Sequence, residues 1–153
     1  MISSPSEVDS HRVRVGCDVT DVADVANSLA AFGDRYLRTV FTTSEIHDCQ
    51  GRNQVQRLAA RFAAKEAVIK AFADPDMPYP WREIEVTRNG PLPLLRLTGT
   101  LAKSAQRQHW TSTSLSLSHT QCHAMAVLFV VCSPTIDEPP FTVNGVGAGA
   151  DAR

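Results

Sequence analysis

The sequence predicts an α+β domain in which one long helix packs on a mainly antiparallel sheet. A helical pattern runs through "RLAARFAAKEAVIKAF", and alternating or apolar segments on both sides of it are typical of short strands. One of these segments, "CHAMAVLFVVC", is apolar enough for the centre of a sheet. A mixture of this kind favours the α+β class.

The composition indicates one folded domain with loose ends. The chain has 153 residues, of which 43% are hydrophobic and 20% are charged, and these values are ordinary for a globular domain. The segments 1–11 and 134–153 are polar or rich in Pro, Gly and Ala, without clear periodicity. We therefore expect both to be flexible and the domain to span 12–133.

The charge and hydropathy patterns exclude several classes of partner. A net charge of −1 gives no global electrostatic reason to expect nucleic acid or a membrane surface. No apolar run approaches the roughly 20 residues of a transmembrane helix, and the first residues lack the apolar core of a signal peptide. A cytoplasmic protein is expected. The four cysteines form no CxxC pair, which argues against a zinc knuckle or redox motif.

The first half of the chain is predicted to contain one strand and several helices. "RVRVGCDV" alternates valine with polar residues and predicts a strand that ends near Asp18. "TDVADVANSLAAF" predicts a helix with Thr20 or Asp21 as its N-cap. "DRYLRTVF" predicts a short helical turn. In "TTSEIHDCQ", Thr42 and Glu45 have the spacing of a capping box at the start of another helix.

The second half begins with the long helix, predicted over about 53–72. "DPDMPYP" ends it, because three prolines in seven residues do not fit a helix interior. "WREIEVTR" and "PLLRLTG" predict two strands with an "NG" turn between them. "TLAKSAQRQHW" predicts a short helix, and "TSLSLSH" and "CHAMAVLFVVC" predict the last two strands.

The long helix places a lysine where a core residue is expected. With about 100° per residue, Lys65 falls within one apolar stripe, and Glu66 and Lys70 lie along its edge. The stripe consists of Leu58, Phe62, Ile69 and Phe72. On one interpretation, Glu66 and Lys70 form a surface pair and Lys65 extends its amine outward over the core. On the other, the helix borders a cleft, where the basic row of Arg57, Arg61 and Lys65 holds phosphates and Glu66 holds a metal.

The second interpretation requires another acidic ligand. Magnesium in proteins usually takes one or two carboxylates together with substrate phosphate and water. Asp18, at the predicted end of the first strand, is the candidate. The alternative for Asp18 is a capping role at the helix that follows.

Three separated stretches together resemble one family. "VGCDVTDV" is similar to its N-terminal Gly-x-Asp strand, "RLAARFAAKEAVIKAF" to its signature helix, and "SLSLSHT" to its C-terminal Ser-His segment. From about Val13 to Val131, in this order, the chain resembles the holo-acyl-carrier-protein synthases, the small type of 4'-phosphopantetheinyl transferase. The resemblance implies the α+β fold of that family.

The resemblance also implies an activity. Such enzymes transfer 4'-phosphopantetheine from coenzyme A to a serine of an acyl carrier protein and release 3',5'-ADP, with Mg²⁺ on the pyrophosphate. It implies Asp18 and Glu66 as the metal ligands and Lys70 as a residue that neutralises phosphate. Family members form homotrimers with sites between subunits, so a homotrimer is expected.

Further residues are implied on the coenzyme A side of the site. His119 matches the Ser-His histidine that lies beside the coenzyme A arm. Arg61 and Lys65 match basic helix positions that face phosphate. Asn89 and Gly90 match a turn that contacts adenosine, although "NGPLPLL" is one residue longer than the family's turn.

One departure from the family concerns the carrier. Asp24 stands where the family usually has an arginine that is expected to grip the acidic carrier, while Arg35 and Arg38 remain as contacts. The alternative function is therefore a non-catalytic coenzyme A-binding protein that has lost carrier docking. The sequence does not choose between a fatty acid, polyketide or peptide carrier, or between Glu66 and a metal-bound water as the proton acceptor.

Overall fold

The computed structural model describes residues 12–134. Segment 1–11 of the two predicted flexible segments lies wholly outside the described residues, and segment 134–153 does so except for Pro134. Within the described range, no helix combines the length and apolar character needed to cross a membrane.

The described part of the chain contains five strands, five α-helices and a 3₁₀ helix. In chain order these are β1 (Arg12–Asp21), α1 (Val22–Phe32), α2 (Asp34–Val40), α3 (Thr43–Cys49), α4 (Gln54–Phe72), the 3₁₀ helix (Trp81–Glu83), β2 (Ile84–Asn89), β3 (Leu92–Leu97), α5 (Gly99–Arg107), β4 (Trp110–His119) and β5 (His123–Cys132).

The strands form two antiparallel sheets. β5 lies at the centre of a three-stranded sheet with β1 and β4 on its two sides, and β2 pairs with β3 in a separate hairpin. Helix α4 packs against β1 and β5 along one face of the three-stranded sheet. The α+β prediction, one long helix on a mainly antiparallel sheet, is confirmed.

Several boundaries differ from the prediction, including the end of β1 and the start of β2. β1 continues to Asp21, the N-cap of α1, so Asp18 lies inside the strand, paired with Ala126, and not at its end. β1 continues past Asp18 because the residues of "VTD" also pair with β5. The sequence prediction ended the strand too early. The predicted strand "WREIEVTR" begins as a 3₁₀ helix, and β2 starts only at Ile84.

Helix α4 is buried around most of its circumference, not along one stripe. Twelve of its residues are buried, including six alanines: Ala59, Ala60, Ala63, Ala64, Ala67 and Ala71. The sheet covers one side, and α1, α3 and β2 contact others. The helix is therefore the central element of the core, and its small residues let neighbouring backbones approach closely.

β1 and α4 approach each other closely at Gly16 of β1. A Cβ built at this position would overlap the carbonyl oxygen of Ala67 and would lie 2.8 Å from its carbonyl carbon and 3.1 Å from the backbone nitrogen of Ala71. Only hydrogen fits there. The absence of a side chain at Gly16 thus sets the distance between β1 and α4, two residues before Asp18.

The opposite face of the three-stranded sheet carries apolar side chains into solvent. Alternation along the strands turns one residue in two away from α4. The exposed fractions of the large apolar residues on this outward face lie between 42% and 60%. They are Val13, Val15, Val19, Met125 and Phe129. A contiguous apolar surface of this kind is typical of an interaction site.

Candidate active site

An open cleft of about 380 Å³ lies where the end of β1 meets α1, α2 and α4. Asp18 and Glu66 line it together with Asp24. Aromatic side chains, Tyr36 and Phe62, form part of the wall. The two predicted metal ligands therefore face one space, although 48 positions of sequence separate them.

Asp18 is held by two side chains. Its Oδ1 accepts a hydrogen bond from Lys70 Nζ at 2.8 Å, and its Oδ2 accepts one from Thr20 Oγ1 at 2.9 Å. The Asp18 side chain is 14% exposed, whereas that of Lys70 is 52% exposed. The hydrogen bond to Asp18 raises the pKa of Lys70, so the amine is charged at neutral pH.

Glu66 lies one turn before Lys70 on α4. Its pKa is raised, first by partial burial and then by the negative charge of Asp18, while Lys70 opposes the shift. The two carboxylates thus repel each other, and the charge of Lys70 partly offsets this repulsion. Oxygen donors with excess negative charge suit a hard divalent cation such as Mg²⁺, so the residues present fit the metal that the resemblance implies.

Lys65 does not face the cleft. Its side chain is fully buried, and its Nζ donates to Glu45 Oε2 at 2.9 Å, to the carbonyl oxygen of Trp81 at 2.8 Å and to that of Ile84. Burial lowers the pKa of Lys65, and the charge of Glu45 opposes this shift. The prediction of a phosphate-facing Lys65 is wrong, because the amine is enclosed and its donors are already used.

Arg61 also makes its contacts elsewhere than with Asp18 and Glu66. Its side chain is 5% exposed, and its guanidinium lies 3.9 Å from Asp48 and donates to the carbonyl oxygen of Arg57 at 3.3 Å. Among the described residues, its Nε has no hydrogen-bond partner. The structure thus places Arg61 between α3 and α4, with part of its donor capacity unused.

His119 ends β4, on the far side of β5 from β1. It is exposed and pairs with Ala124, which also pairs with Thr20. Two strand spacings, about 10 Å, separate the backbones of His119 and Thr20. His119 therefore shares the sheet with Asp18, but in the described part of the chain it forms no hydrogen bond or ion pair with Asp18, Glu66 or Lys70.

Asn89 and Gly90 lie at the tip of the β2–β3 hairpin, in the other sheet. Gly90 has a φ of 62°, as the tight turn requires. The tip is roughly 16 Å along the strand from Ile84, the end that contacts Lys65. No hydrogen bond or ion pair among the described residues joins this turn to Asp18 or Glu66.

The sequence did not predict the roles of two residues, Thr20 and Glu45, that hold Asp18 and Lys65. Thr20 follows Asp18 by two positions, so the period of a strand would have placed both on one face. Glu45 was predicted only as a capping residue. The capping box with Thr42 is confirmed, but the pattern gave no signal for the long-range pair with Lys65.

Comparison of the chain with known proteins indicates one family. Residues 14–128 match the model of the 4'-phosphopantetheinyl transferase superfamily. A holo-[acyl-carrier-protein] synthase of Koribacter versatilis (strain Ellin345) is 40% identical over 114 residues, which cover 72% of this chain and 91% of that protein. The corresponding enzyme of Desulforudis audaxviator (strain MP104C) is 38% identical over 120 residues, with 76% and 91% covered.

Solved structures agree with the sequence relatives. The ACPS–CoA complex of Chronobacterium ammoniagenes superposes with a TM-score of 0.70 at 29% identity, and the match covers 81% of this chain and 99% of that one. Acyl carrier protein synthase of Mycobacterium tuberculosis gives a TM-score of 0.62 at 32% identity, with 79% and 97% covered.

Proposed function

Since the chain belongs to the 4'-phosphopantetheinyl transferase superfamily, we propose that the cleft at Asp18 and Glu66 is its active site. The enzyme transfers 4'-phosphopantetheine from coenzyme A to a serine of an acyl carrier protein. The observation that carries the assignment is that Asp18 and Glu66 line one open cleft within the matched region, with Lys70 hydrogen-bonded to Asp18. The cytoplasmic location and the carrier's pathway stay predictions from the sequence.

Asp18 and Glu66 would hold Mg²⁺. In the part of the chain that the structure describes, no group of three or more His, Cys, Asp or Glu side chains could hold a metal. Two carboxylates from the protein leave the other positions to phosphate oxygens and water, as is usual for Mg²⁺. When bound, the ion neutralises charge that develops on the pyrophosphate oxygens.

The chain's own residues bind and orient the reactants. Lys70 can exchange its hydrogen bond to Asp18 for one to a phosphate oxygen, because its side chain is half exposed. Thr20 holds the carboxylate of Asp18 in place through its hydroxyl. The carrier serine loses a proton to Glu66 or to a water. Burial and the charge of Asp18 raise the pKa of Glu66, so its carboxylate accepts a proton more readily than that of an ordinary glutamate.

The direct test is detection of the modified carrier by intact mass. The protein, coenzyme A, MgCl₂ and candidate apo-carriers are mixed, and a gain of one phosphopantetheine on the carrier, with release of 3',5'-ADP, is expected. A protein that binds coenzyme A but modifies no carrier would instead be the non-catalytic alternative. The presence of Asp18 and Glu66 in the cleft, with Lys70 bound to Asp18, argues for catalysis.

We also propose a homotrimer in which the site is completed between subunits. In this proposal, the coenzyme A contacts still include His119, Asn89 and Gly90. A neighbouring copy would supply the contacts that lie apart from Asp18, Glu66 and Lys70 within one chain. Arg61 stays a phosphate contact because its Nε has unused donor capacity among the described residues. The apolar outward face of the three-stranded sheet supports self-association.

Assembly can be tested on the outward face. The wild-type protein is expected to sediment as a trimer, and Phe129→Asp should give monomers with little transferase activity, because a charge would be buried in the interface. Leu94→Asp is the matched control, since Leu94 is equally exposed but lies on the other sheet. A monomeric wild-type protein with full activity would contradict the proposal.

Carrier docking can be tested at Asp24. This residue is exposed in the first turn of α1 and lines the cleft. Asp24→Arg is expected to lower the apparent KM for an ordinary acidic carrier severalfold at low salt, because it replaces repulsion by attraction, and to leave the KM for coenzyme A nearly unchanged. Kinetics at low and high ionic strength measure this, and the gain should shrink as salt rises.

Asp24→Asn is the control for a local helix effect. An acidic side chain near a helix N-terminus stabilises the helix by about 0.3–1 kcal/mol, and both variants lose this contribution. A weaker use of the carrier by Asp24→Arg than by Asp24→Asn would show that Asp24 makes a favourable contact. The natural carrier would then present a basic group at that point.

A further inference from the structure

A fully buried ion pair joins α4 to three other elements. The amine of Lys65 reaches Glu45 of α3, the carbonyl oxygen of Trp81 in the 3₁₀ helix and that of Ile84 at the start of β2. The ammonium group has three N–H donors, so all of them are used. Both side chains of the ion pair are 0% exposed.

The carboxylate of Glu45 is satisfied as completely as the amine. Its Oε1 accepts from the backbone N–H of Val86 at 2.9 Å, and its Oε2 accepts from that of Thr42 at 2.8 Å as well as from Lys65. We name these six hydrogen bonds around Lys65 and Glu45, including the capping bond from the backbone of Glu45 to the hydroxyl of Thr42, the Lys65–Glu45 junction. It ties α3, α4, the 3₁₀ helix and β2 together at one point.

Other polar contacts also join α4 to its neighbours, such as those of Lys70 with Asp18 and of Arg61 with Asp48. Among the ion pairs of the described residues, the Lys65–Glu45 pair is the one in which both side chains are fully buried. Much of the buried surface of α4 is alanine, and contacts between small apolar groups are non-directional. Such a surface permits close packing but sets neither the rotation of the helix about its axis nor its position along that axis. Hydrogen bonds with fixed geometry set both, and the Lys65–Glu45 junction provides them in the middle of α4.

Glu66 follows Lys65 directly. Consecutive side chains on a helix differ in direction by about 100°, so a fixed direction for Lys65 fixes the direction in which Glu66 leaves the helix. Glu66 must meet Asp18, which stands on a different element. A rotation of α4 about its axis would therefore carry the two carboxylates apart.

We propose that Lys65 is a positioning residue whose junction with Glu45 holds α4 in the rotation that aims Glu66 at Asp18. This inference rests on the proposed function, in which Glu66 and Asp18 share Mg²⁺. It assigns Lys65 neither to phosphate nor to the reacting atoms. Lys65 acts from the core, outside the lining of the cleft, through the orientation of its neighbour.

The test compares Lys65→Met with wild-type enzyme and with Lys103→Met, an exposed lysine on α5. The Mg²⁺ concentration for half-maximal velocity is measured at saturating coenzyme A and carrier. Loss of a residue that orients a metal ligand is expected to raise it about 10-fold or more, while the KM for coenzyme A should change less than about threefold. Lys103→Met should match wild type in both.

A second readout does not depend on activity. With coenzyme A present, MgCl₂ is expected to raise the thermal unfolding midpoint of wild-type protein, and this Mg²⁺-dependent increment should shrink strongly in Lys65→Met. In a Glu66→Gln background the increment should already be small, so that Lys65→Met removes almost nothing further. Such non-additivity is expected when one residue acts through the other.

Glu45→Gln serves as a second variant if Lys65→Met does not fold. It keeps the shape and acceptor of Glu45 but weakens the pair, and a smaller rise in the Mg²⁺ requirement is expected. A folded Lys65→Met or Glu45→Gln protein with lower stability but a wild-type Mg²⁺ requirement and increment would overturn the proposal and leave a purely structural role. If wild-type enzyme itself shows no Mg²⁺-dependent transfer, the proposed function fails instead.

Discussion

Glu66→Gln is expected to lower carrier modification by about 10²-fold or more, which is the usual cost of removing one group that stabilises developing charge. The substitution keeps the size of the side chain and removes its charge. It takes away one of the two carboxylates that the protein offers to Mg²⁺, and also one of the two proposed acceptors of the serine proton. Initial rates of carrier modification, followed by intact mass at saturating Mg²⁺, measure the loss.

The same variant should not lose stability. In the wild-type protein, burial and the charge of Asp18 both raise the pKa of Glu66, so its ionised form is disfavoured in the folded state. A neutral amide removes that repulsion, and the thermal midpoint without Mg²⁺ is expected to stay the same or rise slightly. Opposite effects on activity and stability distinguish a functional carboxylate from a structural one.

Two further variants complete this experiment. Asp18→Asn should lose activity to a similar extent, and it also tests whether Lys70 depends on Asp18 for its position. Asp76→Asn, an exposed acid in the loop after α4, is the control and should behave as wild type. Near wild-type transfer by either cleft variant would remove that residue from the proposed metal site.

Gly16→Ala is expected to destabilise the fold and to abolish activity together. The added Cβ would overlap the carbonyl of Ala67 in the middle of α4, and backbone on both sides leaves little room to give way. Overpacking of a core typically costs about 1–3 kcal/mol and sometimes more, and the upper end applies here. Denaturant unfolding measures the free energy of unfolding, and the carrier assay measures what activity the folded fraction retains.

Gly51→Ala is the matched control for adding one methyl group to a glycine. Gly51 has a φ of 87°, where alanine is strained, but a Cβ there would meet no atom within 4 Å. The substitution should lower the free energy of unfolding by about 1 kcal/mol, because of its backbone conformation alone. If Gly16→Ala costs no more than Gly51→Ala, the close packing of β1 against α4 does not limit the distance between Asp18 and Glu66.

The sequence predicted most elements because their signals are local. The capping box at Thr42, the proline-rich end of α4 and the apolar β5 each depend on residues within a few positions of one another. The prediction of one buried stripe on α4 was wrong for the opposite reason. It assumed one buried stripe, whereas α4 is enclosed by elements from both ends of the chain, and periodicity in the helix does not report how many neighbours surround it.

Lys65 shows the same limit within the site. Its position in the stripe was noticed, but its partner lies 20 residues away on another helix, and two further acceptors are backbone carbonyls. Backbone acceptors leave no trace in the sequence. The family resemblance predicts a shared site for Asp18, Glu66 and Lys70, whereas the spacing of residues alone leaves a surface pair and a helix cap open as alternatives.

The outward face of the three-stranded sheet links folding to the amount of protein. Val13, Val15, Val19, Met125 and Phe129 are in contact with water in an isolated chain. If copies cover this face in one another, association stabilises the native state by mass action, and the midpoint of thermal unfolding rises with protein concentration. A cell that makes few copies would then hold a less stable enzyme, not merely less of it.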